Sequence, residues 1–309
     1  MPGTPKLSSV YIDKAIRTAA IGYGNALYIA GALAPVIPVD QESGKYFTFD
    51  DGEIVTDTAS PDRRPGTDAP RSGYSVSNDT YSCAEFAQAH EVPDRIVENA
   101  DEPIRPLERG IRFCMEKILL RRERFVAGKV FVASTWGTAT DPTVTAWSDL
   151  TGSDPASNVL DGKAQIVKLT GYEANTLVLG RQVFDKLTQH PDALDRIKYT
   201  QAGIMTADLM AAWLGVERIL VGSASYNSAQ EGGTTSREFV WGKNALLCYC
   251  PPAPSIDSPA ACYMFQYQGA STRQWREESP KQTVVEAGLN IDFKRTAIKA
   301  GYYFASVVA

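Results

Sequence analysis

Residues 51–82, "DGEIVTDTASPDRRPGTDAPRSGYSVSNDTYS", combine Asp, Arg, Ser, Gly and Pro with few large apolar side chains. Connections inside a compact domain have a median of about 4–6 residues, so a polar stretch this long is either disordered or ordered by something outside its own domain. Its flanks favour the second. Lys45–Phe49 reads as a strand leading in, with Phe47 and Phe49 alternating against Tyr46, Thr48 and Asp50 to give one apolar face. Tyr74, Val76 and Tyr81 lead out with partial alternation. The pattern predicts a long two-stranded ribbon with a ragged tip. Such a ribbon is marginal alone in water, and its edges invite pairing with another chain. Just upstream, Val36, Ile37 and Val39 are β-prone, but Pro35 and Pro38 exclude an interior helix or a central strand. Residues 19–37 are punctuated by Gly22, Gly24, Asn25, Gly31 and Pro35 and read as an extended arm.

A single long helix follows. Pro103 and Pro106 mark its start, and Leu107, Ile111, Cys114, Ile118 and Phe125 form one stripe, widened by Met115 and Leu119. From Leu107 to Val126 it spans about 30 Å at 1.5 Å per residue. "RRER" at 121–124 reads as its solvated, positively charged end, and "GKVFVAST" at 128–135 as a strand. Residues 176–222 then show an α/β rhythm. Thr176–Leu179 is a buried strand stopped by Gly180. Pro191 opens a helix whose inward side is Leu194 and Ile197. Thr206 caps another that carries Leu209, Met210, Trp213 and Leu214 and ends at Gly215. Strands are expected on both sides of Gly242-Lys243-Asn244, at 262–268, and in the C-terminal tail, broken near Gly301.

Composition narrows the function classes. A formal net charge of −5 and a pI near 5.3 do not suit a broad nucleic-acid grip, which relies on Lys and Arg neutralising phosphates. No run approaches the roughly 18 apolar residues of a membrane span, and no secretory signal is visible. Cys83, Cys114, Cys248, Cys250 and Cys262 include no CxxC pair and read as small buried hydrophobes, with Cys248 and Cys250 on one strand face. The two histidines, His90 and His190, have no GxSxG elbow to serve. "GYGNAL" at 22–27 lacks the third glycine of a dinucleotide fingerprint, no phosphate-binding P-loop is present, and "FDDGE" at 49–53 reads as a solvated turn rather than a metal site. No catalytic residue, cofactor or metal is therefore expected. The competing enzyme reading, a soluble α/β hydrolase or nucleotide-binding protein built on 176–222, lacks both its elbow and its P-loop.

Several phrases in fixed order carry a resemblance. "RIVENADEP…LERGIRFCMEKILLRRERFVAGKVF…STW" resembles the long-helix region of tailed-phage major capsid proteins. "NTLVLGRQVFDKLTQHPDALDRIKYTQ", "GVERILVGSASYNSAQEG" and "WGKNALLCYCPPAPS" are similar to the region that follows it in that family, and "VIPVDQESGKYFTFDDGE" and "AQAHEVPDRI" to its N-terminal part. The resemblance spans about residues 25–309. It implies an α+β, Hong Kong 97-like (Johnson) capsid fold: an N-terminal arm at about 1–43, an extended β-hairpin E-loop at about 44–88 and a peripheral domain with a long spine helix at about 89–170. An α/β axial domain would take about 171–275, and C-terminal strands at about 276–309 would return to the peripheral domain.

The function so implied is self-assembly into hexamers and pentamers of the icosahedral head of a tailed double-stranded DNA phage, formed in the host bacterial cytoplasm and resident in the virion. An encapsulin-like nanocompartment shell is the alternative within the same fold. Portal and scaffolding proteins, with an optional decoration protein, are the expected partners, the scaffold as a separate chain. Packaged DNA is expected to be touched only weakly. Some family members join subunits by Lys–Asn crosslinks; none is expected here, since no lysine occurs between Glu53 and Arg112. The candidate subunit contacts are Phe47, Phe49, Arg63, Arg64 and Arg71, because guanidinium–carboxylate pairs suit protein interfaces.

Overall fold

The computed structural model describes residues 27–49, 66, 68, 77–100, 104–136, 140–141, 145–197, 205–229, 234–256 and 258–309. Helix α1 (Ala30–Leu33) and strands β1 (Val36–Val39), β2 (Ser43–Thr48), β3 (Ser77–Ser82) and β4 (Ala84–Pro93) come first, followed by α2 (Asp94–Glu98) and the long α3 (Pro106–Val130). Strand β5 (Thr140–Asp141) and α4 (Pro155–Thr170) lead to β6 (Thr176–Gly180), α5 (Arg181–Leu187), α6 (Pro191–Ile197), α7 (Ala207–Leu214) and β7 (Arg218–Gly222). The chain closes with β8 (Ser225–Asn227), β9 (Arg237–Phe239), β10 (Ala245–Cys248), β11 (Cys262–Glu277), β12 (Gln282–Arg295) and β13 (Gly301–Phe304).

The first sheet has the order β1-β11-β12-β4, with β1 parallel to β11 and the other pairs antiparallel. Its centre is the β11–β12 hairpin, whose register shifts between Tyr267 and Ser271. Strand β1 lies on the sheet edge, where a proline forfeits no ladder bond, so Pro35 and Pro38 fit. Helix α3 crosses one face of this sheet. It comes so close at Gly110 that a Cβ there would stand 2.9 Å from Val285 Cγ2. The expected stripe is the buried one at Ile111, Cys114, Met115, Ile118 and Leu119, with Leu107 and Phe125 partly covered.

The helix runs four residues beyond Val126, to Val130, and a 3-10 turn at Ala133–Thr135 follows, so the strand expected at 128–135 is absent. Val126, Ala127 and Val130 continue the buried stripe, and Trp136 Nε1 donates to the Val130 carbonyl (2.8 Å). Packing at helical spacing thus overrides the β preference of Val130, Phe131 and Val132. Gly128 sits on the open side of this turn, and a methyl group added there would meet nothing within 4 Å. Gly128→Ala is expected to raise the stability of the unassembled subunit by about 0.5–1 kcal/mol, read from the urea midpoint. A lowered midpoint would mean that the last turn is not helical in solution.

The second sheet has the order β5-β13-β10-β6-β7. Its strands alternate between two cores. Leu177, Leu179, Ala245, Leu247 and Phe304 face helices α4, α5 and α7 in one core with Trp147, Val159, Val183, Met210 and Leu214. Val178, Leu246, Cys248 and Tyr303 face the other way and join Trp136, Trp241 and the buried side of α3. One strand set therefore seals two cores. Helix α7 begins at Thr206, whose hydroxyl accepts from Leu209 N–H, and ends at Gly215 with φ +66°, as expected. Helix α4 is capped by Asp154 on Ser157 N–H. In α6 it is Ala193 that is buried, whereas Leu194, expected to point inward, is 50% exposed.

Sheet membership departs from the boundaries implied by the resemblance. Strand β11, expected within 171–275, pairs with β12 and β1 in the first sheet. Strand β13, expected to return to the peripheral side, lies in the second sheet between β5 and β10. Helix α4, expected on the peripheral side, packs on the second sheet. Strand pairing decides each case. The 16-residue β11 finds its long partner in the strand that immediately follows it, and β13 inserts Tyr303 and Phe304 into the two opposite cores.

Candidate assembly surfaces

The ribbon expected at 44–88 is rooted by β2 and β3, paired antiparallel from Ser43↔Ser82 to Thr48↔Ser77. Its inward face is the one that carries tyrosine. Tyr81 stacks on Phe265 at 4.7 Å, Tyr46 tilts against the same ring at 5.2 Å, and Ile37, Cys83 and Tyr263 complete a small separate core. Tyr46 Oη donates to Asp79 at 3.0 Å. Burial, then this bond, pushes the Tyr46 phenol up, while Thr80 N–H and the same phenol hold the Asp79 carboxyl below its usual range. The sequence pattern places the apolar face on Phe47 and Phe49; an aromatic ring with a polar tip reaches the ribbon's rim and takes the inward positions instead.

The expected contact residues separate accordingly. Phe47 points away from the root and is 43% exposed. Phe49 packs against the main core, and its N–H donates to the Thr296 carbonyl at 2.7 Å, fixing where the ribbon leaves the body. Arg63, Arg64 and Arg71 lie outside the described residues. Further exposed apolar side chains occur on and after α2, at Ile96, Val97 and Ile104, and at Phe113 on α3. Asp94 at the start of α2 is clamped to β11 by both terminal nitrogens of Arg276 (3.1 and 2.8 Å).

A buried node ties the arm to the body. Glu123, read from the sequence as part of a solvated helix end, is fully buried. Its Oε1 accepts from Ile29 N–H (2.7 Å) and Trp241 Nε1 (2.7 Å), and its Oε2 from Ala30 N–H (3.0 Å). One carboxylate thereby caps α1, anchors α3 and holds the Trp241 turn. Burial pushes the Glu123 carboxyl up against the opposing pull of these donors and of Arg122. At the other end of α1, Cys250 and Cys262 donate their thiols to the Leu33 carbonyl (3.4 and 3.7 Å). A carboxylate among arginines gives no sign of burial in sequence, and the node escapes sequence reasoning for that reason.

Among the described residues one polar cluster gathers around His190. His190 Nε2 lies 3.3 Å from Ser153 Oγ, and its Nδ1 lies 3.5 Å from Asp192 Oδ2. Ser153 Oγ donates to the Asp149 carbonyl (2.6 Å), and Asp192 N–H donates to His190 Nδ1 (3.3 Å). His90 packs against Phe113 at 5.4 Å. All five cysteines are free and buried, and Cys248 and Cys250 face each other at 3.7 Å. Among the described residues no group of three or more His, Cys, Asp or Glu side chains could hold a metal, and no helix is long and apolar enough to cross a membrane.

No family model matches the chain. It is similar to the major capsid protein of Burkholderia phage BcepMu, 32% identical over 244 residues that cover 78% of this chain and 76% of that protein. The major capsid protein of Pseudomonas phage JBD67 is 27% identical over 242 residues, 77% of each chain. Among solved structures, a phage-related protein from Bordetella bronchiseptica RB50 superposes with a TM-score of 0.77 at 25% identity, covering 97% of this chain and 98% of that one. The capsid of cyanophage P-SCSP1u gives 0.59 at 12% identity, with 88% and 86% covered. The SrpI encapsulin of Synechococcus elongatus PCC 7942 gives 0.52 at 12%, with 100% and 91% covered.

Proposed function

From the premise that the chain belongs to the family of phage major capsid proteins and has the Hong Kong 97-like fold, we propose that its copies close as hexamers and pentamers into the icosahedral head of a tailed double-stranded DNA phage. In this reading residues 27–39 are the end of the arm, the β2–β3 ribbon is the E-loop, and the first sheet with α3 is the peripheral domain with its spine helix. The second sheet with α4–α7 is the axial domain. Assembly takes place in the host bacterial cytoplasm. A scaffolding protein, a portal and an optional decoration protein are the further partners, and the acidic inner wall touches packaged DNA weakly. The role is structural, without catalysis, cofactor or Lys–Asn crosslink. An encapsulin-like shell is disfavoured because that likeness stands at 12% identity and speaks for the fold alone, whereas the phage capsid relative stands at 32%.

The observation that carries the reading is the ribbon root. The chain fastens the ribbon at Tyr46, Tyr81 and Phe49 and turns Phe47 outward. Replacing residues 56–74 with a short Gly-Ser turn should leave a cooperatively folding subunit that no longer forms shells, because a surface loop can be shortened at small cost in stability. Loss of the cooperative unfolding transition, or shell formation at the wild-type level, would contradict it.

A further inference from the structure

Helix α3 concentrates positive charge in a chain whose formal net charge is −5. Between Pro106 and Val130 it holds seven cations and three carboxylates, and each carboxylate is turned to a partner within the chain. Glu108 accepts from Arg105 (2.8 Å), Glu116 from Tyr28 Oη, and Glu123 from Ile29, Ala30 and Trp241. Arg122 is half-buried beside Gly31 of α1. The other six cations, Arg109, Arg112, Lys117, Arg121, Arg124 and Lys129, are exposed, and none forms an ion pair with a carboxylate of the described residues. Aromatic faces hold three of them without neutralising them. Lys117 lies over Phe113 (5.5 Å), Arg124 over Tyr226 (4.1 Å) and Lys129 over Phe125 (6.0 Å).

From Arg109 to Lys129 the strip follows about 30 Å of helix axis, the length of about nine base pairs. Beside Lys117, Arg121 and Arg124 the surface falls into a cleft of about 390 Å³ between β4 and the β8–β9 hairpin, and no Asp or Glu lines it among the described residues. Gln88 and Asn227 add amide groups to its wall. Asn227 Oδ1 accepts from Ala229 and Ser236 N–H, which leaves its NH₂ to donate. The centre of a protein interface is depleted of charge, whereas this strip is charged along its whole length and suits a polyanion whose own charge is evenly spaced. With its other side packed on the first sheet, α3 presents a single face and meets phosphates rather than base edges. We infer that the exposed side of α3 is a phosphodiester-binding strip that holds duplex DNA by its backbone, without reading sequence. This deepens the shell reading and rests on it: the weak contact of an acidic chain with packaged DNA is gathered onto one helix.

The first test measures binding of a fluorescent 20-base-pair duplex of arbitrary sequence to the unassembled subunit against salt concentration. The logarithm of the affinity should fall linearly with the logarithm of salt, and the slope should shrink by about 1 for each cation removed in the Lys117→Gln/Arg121→Gln/Arg124→Gln triple variant. A Lys168→Gln/Lys186→Gln control, exposed on α4 and α5, should keep the wild-type slope. No duplex binding at low salt, an unchanged slope in the triple variant, or an equal fall in the control overturns the inference. The second test uses DNA-filled heads carrying Arg121→Cys, labelled with an aryl azide through the new thiol, since the native cysteines are all buried. Illumination should join the subunit to DNA, and Lys117→Cys serves as a second labelling site should Arg121→Cys heads not form. A label that joins subunit only to subunit assigns the strip to a protein neighbour, overturning the inference and leaving the shell reading intact. Absence of shells from the wild type would strike the shell reading instead, while duplex binding by the subunit would still be measured.

Discussion

Glu123→Ala is expected to cost the unassembled subunit about 3–5 kcal/mol, because it strands three buried N–H donors at once. Those donors belong to Ile29, Ala30 and Trp241, which lie at the arm, at the start of α1 and in the turn before β10. The alanine methyl supplies no acceptor in place of the carboxylate, and the vacated space lies between α3 and the arm. Glu123→Gln keeps one acceptor oxygen but turns an amide NH₂ toward donors, so a smaller loss of about 1–3 kcal/mol is expected. Urea unfolding followed by tryptophan fluorescence measures both, since Trp241 reports on the node directly. The pH dependence has a definite sign. A carboxyl raised by burial holds its proton more tightly in the folded than in the unfolded chain, so its contribution is fully present below the ordinary glutamate value of about 4.3 and is lost as pH rises through the higher folded value. The gap between wild type and Glu123→Gln should therefore widen on acidification. A loss under about 1 kcal/mol for Glu123→Ala would mean that the arm is not held by this node.

Gly180→Ala is expected to be comparably severe for a different reason. A Cβ at Gly180 would stand 1.9 Å from the Gly242 carbonyl oxygen and 2.9 Å from that of Trp241. Both obstacles are backbone, so no rotamer change relieves them. Gly180 has φ −67°, an ordinary conformation, and the cost is therefore contact alone. Relief requires β6 to part from the turn that leads into β10, at the strand where the two cores meet. A loss of at least about 3 kcal/mol follows, the upper end for overpacking a rigid interior. A urea midpoint close to wild type would show that the 241–242 turn does not close over β6.

What could be read from sequence was what local chemistry decides. The α3 stripe, the Thr206 and Gly215 caps, the fully buried β6 and the edge character of β1 all follow from periodicity, capping and the missing proline N–H. What could not be read was decided at a distance. The β3 strand and the small tyrosine core depend on Phe265, more than 180 positions away from Tyr81 along the chain. The choice of Tyr46 over Phe47 as the inward residue depends on Asp79 across the ribbon. Glu123 looks like every other charge in "RRER" until Ile29 and Trp241 are brought to it. The surfaces that would meet another subunit are the least legible of all, since their partners belong to another chain. Phe47, left 43% exposed on the ribbon, has no counterpart within its own chain that sequence could have named.

The central claim is that this chain builds a closed shell, and negative-stain electron microscopy of the purified wild-type protein tests it most directly. Uniform closed particles assembled from the 33.6 kDa chain are the expected result. Small monodisperse particles at every salt and protein concentration would contradict it.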